Sequence, residues 1–127
     1  MRAIVEWGVE HQKLVESVEA LDEVLDALAA QGEAQIVQVT RDEAGTLGIV
    51  LGAPRSFLHH VPVHLQPPYF ASRGEQAREE MFEFFIAGSA RTEVPWIATI
   101  PVETARAAVR AFVENGERPA EIAWVEA

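Results

Sequence analysis

No cysteine occurs among the 127 residues. Thiol catalysis, thiolate zinc sites and iron-sulfur clusters are therefore excluded, and the composition fits a reducing compartment. No apolar run approaches the ~20 residues needed to span a bilayer; stretches such as Gly48 to Pro54 are far shorter. The opening residues Met1 to Gly8 offer only Ala3, Ile4 and Val5 before Glu6, too short for the apolar region of a signal peptide, so a cytoplasmic location is expected. Basic residues are scarce: 10 Lys and Arg stand against 20 Asp and Glu, a formal net charge of -10. Such a surface repels phosphate backbones and anionic membranes, which argues against direct nucleic-acid or membrane binding. What is present is a globular composition, 49% hydrophobic and 24% charged, sufficient for one packed domain over residues 1–127 that needs no metal or disulfide to fold.

Ala3, Val5 and Trp7 alternate with Arg2, Ile4 and Glu6, which predicts a first strand ending at Gly8. From Leu14 the apolar residues Leu14, Val18, Leu21, Val24, Leu25 and Leu28 follow helical spacing, with Ser17 as N-cap and Gly32 as the stop. Ile36–Thr40 and Leu47–Leu51, joined by a turn containing Gly45, read as a hairpin. Phe57–Leu65 reads as a further strand, which Pro62 assigns to a sheet edge or a bulge. Gln66–Gln76, with Pro67, Pro68, Ser72 and Gly74, lacks either periodicity and reads as a long loop. Strands follow at Met81–Ile86 and Val94–Ile100, then a helix from Pro101 to about Glu114 stopped by Gly116, and a last strand at Glu121–Val125. Strand, helix, several strands, helix, strand is not a repeated alternation. The expected class is α+β, a single antiparallel or mixed sheet covered by two helices.

No catalytic motif survives a search by chemistry. Gly88-Ser89 lacks the Gly-x-Ser-x-Gly frame of a nucleophile elbow and reads as a hairpin turn. No phosphate-binding glycine motif occurs, so nucleotide cofactors have no seat, and no cofactor is expected. His59, His60 and His64 fall within six residues, and neutral imidazoles are common metal ligands. On a strand, however, His59 faces away from His60, while His60 and His64 lie roughly 13 Å apart. A metal site would need a strong bend at Pro62. The adjacent carboxylates Glu79 and Glu80 point to opposite sides of an extended chain, which disfavours paired acid-base work.

Charge placement is more informative. Glu19, Asp22, Glu23 and Asp26 recur at i, i+3, i+4, i+7 opposite the apolar stripe of the first helix, and no Lys or Arg occurs between Leu14 and Thr40. Their repulsion is locally uncompensated, so the face reads either as solvated surface or as a docking surface for a basic partner. The second helix instead mixes Glu103, Arg106, Arg110 and Glu114 along its exposed side. In Met81–Ile86, alternation sends Phe82, Phe84 and Ile86 one way and Met81, Glu83 and Phe85 the other. Met81 and Phe85 are then either interface anchors or are covered by Tyr69 and Phe70 of the long loop.

The second helix, the run Asn115, Gly116, Glu117, Arg118, Pro119, and the strand carrying Trp124, together with the opening strand and its Trp7, the following helix, and the strands at Gly48–Gly52 and Phe82–Phe84, resemble the first family of immunity proteins in bacterial polymorphic toxin systems. The likeness covers nearly the whole chain. It implies a non-enzymatic protein that binds and neutralises a cognate toxin, frequently a nucleic-acid deaminase. On physical grounds Gly116 ends a helix, Pro119 stiffens a turn and Trp124 packs in the core. The chain itself lacks the His-x-Glu and Pro-Cys-x-x-Cys elements of a zinc deaminase. Two rival readings stay open. One is a ligand-binding or enzymatic α+β domain with a pocket near His60, His64 or Tyr69. The other is a nucleic-acid mimic, which needs phosphate-like carboxylate spacing over several elements.

Overall fold

The structure, a computed structural model, describes residues 1–88 and 90–127. Ser89, expected in a hairpin turn, lies outside the described residues. Strand β1 (Ala3–Trp7) pairs antiparallel with β2 (His11–Val15) and with β3 (Gln35–Arg41). Between them the chain forms helix α1 (Val18–Ala29). Strand β4 (Gly45–Leu51) completes the expected hairpin with β3. There follow β5 (Arg55–Ser56), β6 (Leu58–Val61), β7 (Phe70–Arg73), β8 (Met81–Phe85), β9 (Arg91–Pro95), a 3-10 turn (Trp96–Ala98), β10 (Ile100–Pro101), α2 (Val102–Asn115) and β11 (Ala123–Glu126). The main sheet runs β11-β7-β6-β4-β3-β1-β2, with the β8–β9 ribbon attached to β3. The class is α+β, mostly antiparallel.

Several expectations need correction. Leu14 fits the helical period but lies in β2, directly across from Ile4 and 42% exposed. Ser17 is what separates strand from helix: its backbone is extended, and its hydroxyl accepts from the Ala20 amide at 3.1 Å. Helix α1 ends at Ala29, before Gly32, which turns the chain toward β3 with φ +86°. Of the expected Phe57–Leu65 strand only Leu58–Val61 is extended, as β6; Phe57 separates it from β5, where the Ser56 hydroxyl bonds both the amide and the carbonyl of Val50. It is no edge, since β6 sits between β4 and β7 and stops before Pro62. The long loop contains β7, held by the Ser72 hydroxyl, which accepts from Leu58 N and donates to Ala98 O. The strand assigned to Val94–Ile100 is β9, a 3-10 turn and the start of β10. Because β10 pairs with β5 in a second, two-stranded sheet, the sheet is not single.

Alternation along β4 divides the interior. Leu47, Ile49 and Leu51 pack with Leu21, Leu25 and Leu28 of α1 and with Val109, Phe112 and Val113 of α2. Val50 faces the other way, with Phe57, Ala71, Phe82 and Phe84. Both helices therefore cover one face, and the β8–β9 ribbon covers part of the opposite face. Gly48 lies on that second face, where a Cβ would come within 2.9 Å of Gln38 Oε1 and Ile36 Cδ1, so the ends of those side chains would have to shift.

Gly74 marks the tightest junction. Its amide donates to Ile97 O at 2.6 Å, and a Cβ would collide with the Thr99 carbonyl oxygen. Gly74→Ala is expected to destabilise the protein by about 2 kcal/mol in urea unfolding, since backbone cannot yield as a flexible side chain does. An unchanged midpoint would contradict this close approach.

Candidate functional site

The acidic face of α1 is not uncompensated. Arg110 Nε donates to Asp22 Oδ1 at 2.9 Å, Arg106 Nη2 reaches the same oxygen at 3.3 Å, and Arg106 Nη1 pairs with Asp26. Arg106 is only 16% exposed at its side chain, so it bridges the two helices and does not lie on a solvated side of α2. Its Nε is buried without a partner, so the side chain depends on the bonds of its two terminal nitrogens. Two carboxylates thus meet two guanidiniums beside a groove of about 600 Å³. Glu19 and Glu23 remain exposed and make no ion pair among the described residues.

The β8–β9 ribbon presents the other candidate surface. Phe82 and Phe84 are buried, with Phe82 edge-on to Trp96 and Phe84 stacked on Phe57. Alternation therefore turns Met81, Glu83 and Phe85 outward, and Met81 is 42% exposed. Register sets Glu83 directly opposite Glu93, and Phe85 opposite Arg91, whose guanidinium lies 5.3 Å from the Phe85 ring centre. Like charges opposed across a strand pair are destabilising. The Arg91–Glu83 approach, 3.9 Å between well-exposed groups, offsets little of this. The ribbon's outer face is therefore apolar and acidic at once, with no internal reason for its two carboxylates to meet.

Tyr69 and Phe70 do not cover that face. The Tyr69 ring is tilted against His59, and its hydroxyl donates to Leu65 O at 3.0 Å. Phe70 lies under Arg118, whose guanidinium carbon is 3.6 Å from the ring centre. Arg118 also approaches the half-buried Trp124, and the Trp124 indole donates to Pro119 O at 2.7 Å. Gly116 closes α2 in the left-handed conformation, its amide donating to Phe112 O. Trp7, at the end of β1, packs against the helix-side core and stacks on His11.

The histidines do not converge on a site. Pairing of His60 with Leu47 directs it to the helix side, edge-on to Phe112, while His59, opposite Gly48, takes the other face. His64 is exposed and accepts from the Gln66 amide. His60 therefore faces away from His59 and from the Tyr69 ring beside it, and among the described residues no group of three or more His, Asp or Glu could hold a metal ion. Glu79 and Glu80 are exposed ahead of β8, with Glu80 paired to Arg78. No described helix is long and apolar enough to cross a membrane.

A cleft that sequence reasoning did not single out opens between the tips of the β1–β2 hairpin and the β8–β9 ribbon. It has a volume of about 470 Å³, and Glu6, Gln12, Gln38, Glu10, Ile36 and Ile86 line it. The only sequence signal for it is the polar phase of β1, in which Glu6 follows Ile4.

Comparison with known proteins gives one positive finding. A family model described as "Immunity protein Imm1" matches residues 10–126, and no curated protein matches the chain.

Two outcomes follow from the site's geometry. Asp22→Ala is expected to destabilise the protein by about 1–2 kcal/mol, since it removes hydrogen bonds between charged groups at a half-buried position, whereas Glu23→Ala stays within about 0.5 kcal/mol. Equal effects in urea unfolding would contradict the inter-helix bracket. His60 is held below its ordinary value near 6.5, first by burial, then by the Arg118 charge and more weakly by His59, with the Ala44 backbone opposing. The unfolded chain then binds the proton more readily than the folded one, so the stability linked to His60 is complete above pH 6.5 and is lost as pH falls below it. In thermal melts, His60→Leu should gain on the wild type between pH 7.5 and pH 5.5, on the order of this linkage. A constant difference across that interval would contradict it.

Proposed function

The chain belongs to the immunity protein Imm1 family, and from that premise we propose that it binds a cognate bacterial toxin and neutralises it by covering the toxin's active or substrate-binding surface. A nucleic-acid-targeting toxin of the deaminase type suits the chemistry. A protein that grips a phosphate backbone presents a basic groove, and a chain of net charge -10 is drawn toward it over long range. The toxin would be met in the cytoplasm. The role calls for no cofactor and no bond-making step.

The observation that carries this reading is the outer face of the β8–β9 ribbon. Exposed Met81 and half-buried Phe85 flank the opposed Glu83 and Glu93, and association with a basic partner would relieve that repulsion while covering what the two apolar side chains still expose. We assign Met81, Glu83 and Phe85 to the centre of the contact. Glu19 and Glu23 act as steering charges, and Asp22 and Asp26, paired with Arg106 and Arg110, contribute less. Tyr69 and Phe70 belong to the flank formed by β6 and β7.

Protection of the producing cell calls for a dissociation constant near nanomolar, about -12 kcal/mol. Co-expression with the product of the neighbouring toxin-like reading frame should rescue growth, and the two proteins should co-elute. Continued killing together with separate elution would overturn the proposal. In surface plasmon resonance, Met81→Ala with Phe85→Ala should raise the off-rate about 10- to 100-fold. Glu19→Lys with Glu23→Lys should slow association about 2- to 10-fold at low salt and much less at high salt. Unchanged off-rates would remove the ribbon from the contact.

A further inference from the structure

Strand register gathers Gln12, Glu6 and Gln38 in one row across three adjacent strands, since Glu6 pairs with Gln12 on one side and with Gln38 on the other. The row lies on the face away from the helices, because the alternate residue Val5, opposite Val39, is buried with them. Glu10 joins it from the β1–β2 turn, and Trp7, Gly8, His11, Ile36, Ile86 and Ala87 also line the cleft. Two carboxylates and two carboxamides thus converge beside an apolar wall. Neither Glu6 nor Glu10 makes an ion pair among the described residues, and no Lys or Arg lines the cleft.

Glu10, like Glu43 and Leu65 elsewhere in the chain, has a positive φ, here +65°, in the left-handed region where glycine or asparagine is favoured and another side chain costs roughly 1 kcal/mol. Two apolar side chains at the hairpin tips are exposed, Val9 at 60% and Ile86 at 43%, and the tips approach so closely that a Cβ on Gly88 would lie 3.3 Å from the Val9 side chain.

We propose that this cleft is a receptor for an arginine side chain projecting from the surface of the partner. The match is one of shape and charge. An arginine stem is apolar and would lie along Ile36 and Ile86. Its guanidinium offers five donors in a planar fork, suited to several acceptors at once, where an ammonium offers three around a point. Glu6 and Glu10 supply the charge, and the oxygens of Gln12 and Gln38 supply neutral acceptors. The exposed Ile86 side chain at the edge of the cleft is then covered by the arginine stem. The partner's identity rests on the immunity reading; the ligand chemistry of the cleft does not.

The test uses the whole chain and two probes. In two-dimensional NMR, N-acetyl-L-arginine methylamide should shift the side-chain amides of Gln12 and Gln38 and the backbone amides of Glu6 and Ile86 saturably, with a dissociation constant on the order of millimolar. The lysine analogue should bind about fivefold more weakly. Glu6→Gln and Glu10→Gly should each weaken the arginine probe about fivefold or more; Glu10→Gly relieves the left-handed backbone, so its loss of binding cannot be ascribed to unfolding. The second probe is the product of the neighbouring toxin-like frame, whose affinity both variants should lower about 10-fold or more. Absence of saturable shifts in the cleft, or shifts unchanged by both variants, overturns the proposal. So does a toxin that binds wild type and variants within twofold, which leaves the immunity reading standing. Arginine binding that the variants abolish, with no binding of the toxin by wild type, sustains the receptor and overturns the immunity reading.

Discussion

Burial of β4 on both faces is the constraint on which the rest of the structure depends. All but one of the residues from Gly45 to Leu51 are buried, and their alternation commits Leu47, Ile49 and Leu51 to the helices and Val50 to the ribbon. Each face of a central strand must be covered or its apolar side chains stay in water. The helices cover one side fully, with the Arg106 and Arg110 brackets fixing α2 to α1. The β8–β9 ribbon covers the other side only in part. In the uncovered remainder, between the ribbon and the β1–β2 hairpin, Glu6, Glu10, Gln12 and Gln38 collect, and neither carboxylate makes an ion pair among the described residues.

That division gives the two faces different roles. On the helix side, charge is neutralised within the protein, and Asp22 and Asp26 serve α2 more than they serve solvent. On the ribbon side, Glu83 and Glu93 oppose each other, and Glu6 and Glu10 make no ion pair among the described residues. Folding alone gives no reason to gather carboxylates beside exposed Met81 and Ile86 and half-buried Phe85. A basic protein surface does, since it would supply countercharge and apolar contact together. Occlusion of a toxin is a function that such a surface performs with no chemistry of its own.

Much of the fold was legible in residue periodicity, and the exceptions have physical causes. Both helices, the β3–β4 hairpin and the inward and outward phases of β8 follow from spacing alone. Leu14 was misassigned because a residue four before Val18 satisfies a helical period, and only the Ser17 cap and pairing with Ile4 decide otherwise. β7 was hidden because Pro67, Pro68 and Gly74 flank a four-residue strand whose support comes from the Ser72 hydroxyl and from β6 and β11. The pairing of Asp22 with Arg106 and Arg110 joins residues more than eighty positions apart, so local charge spacing made the acidic helix look more available than it is. The Glu6 and Glu10 cleft is likewise assembled from two hairpin tips, and no local pattern announces it.

The central claim is that the molecule acts through the sheet face turned away from its helices. A crystal structure of the complex with the toxin from the neighbouring frame tests this most directly. The account predicts toxin atoms packed on Met81, Phe85 and Glu93 and a toxin arginine between Glu6 and Glu10. A contact confined to α1 and α2, with the ribbon and the cleft open to solvent, would contradict it.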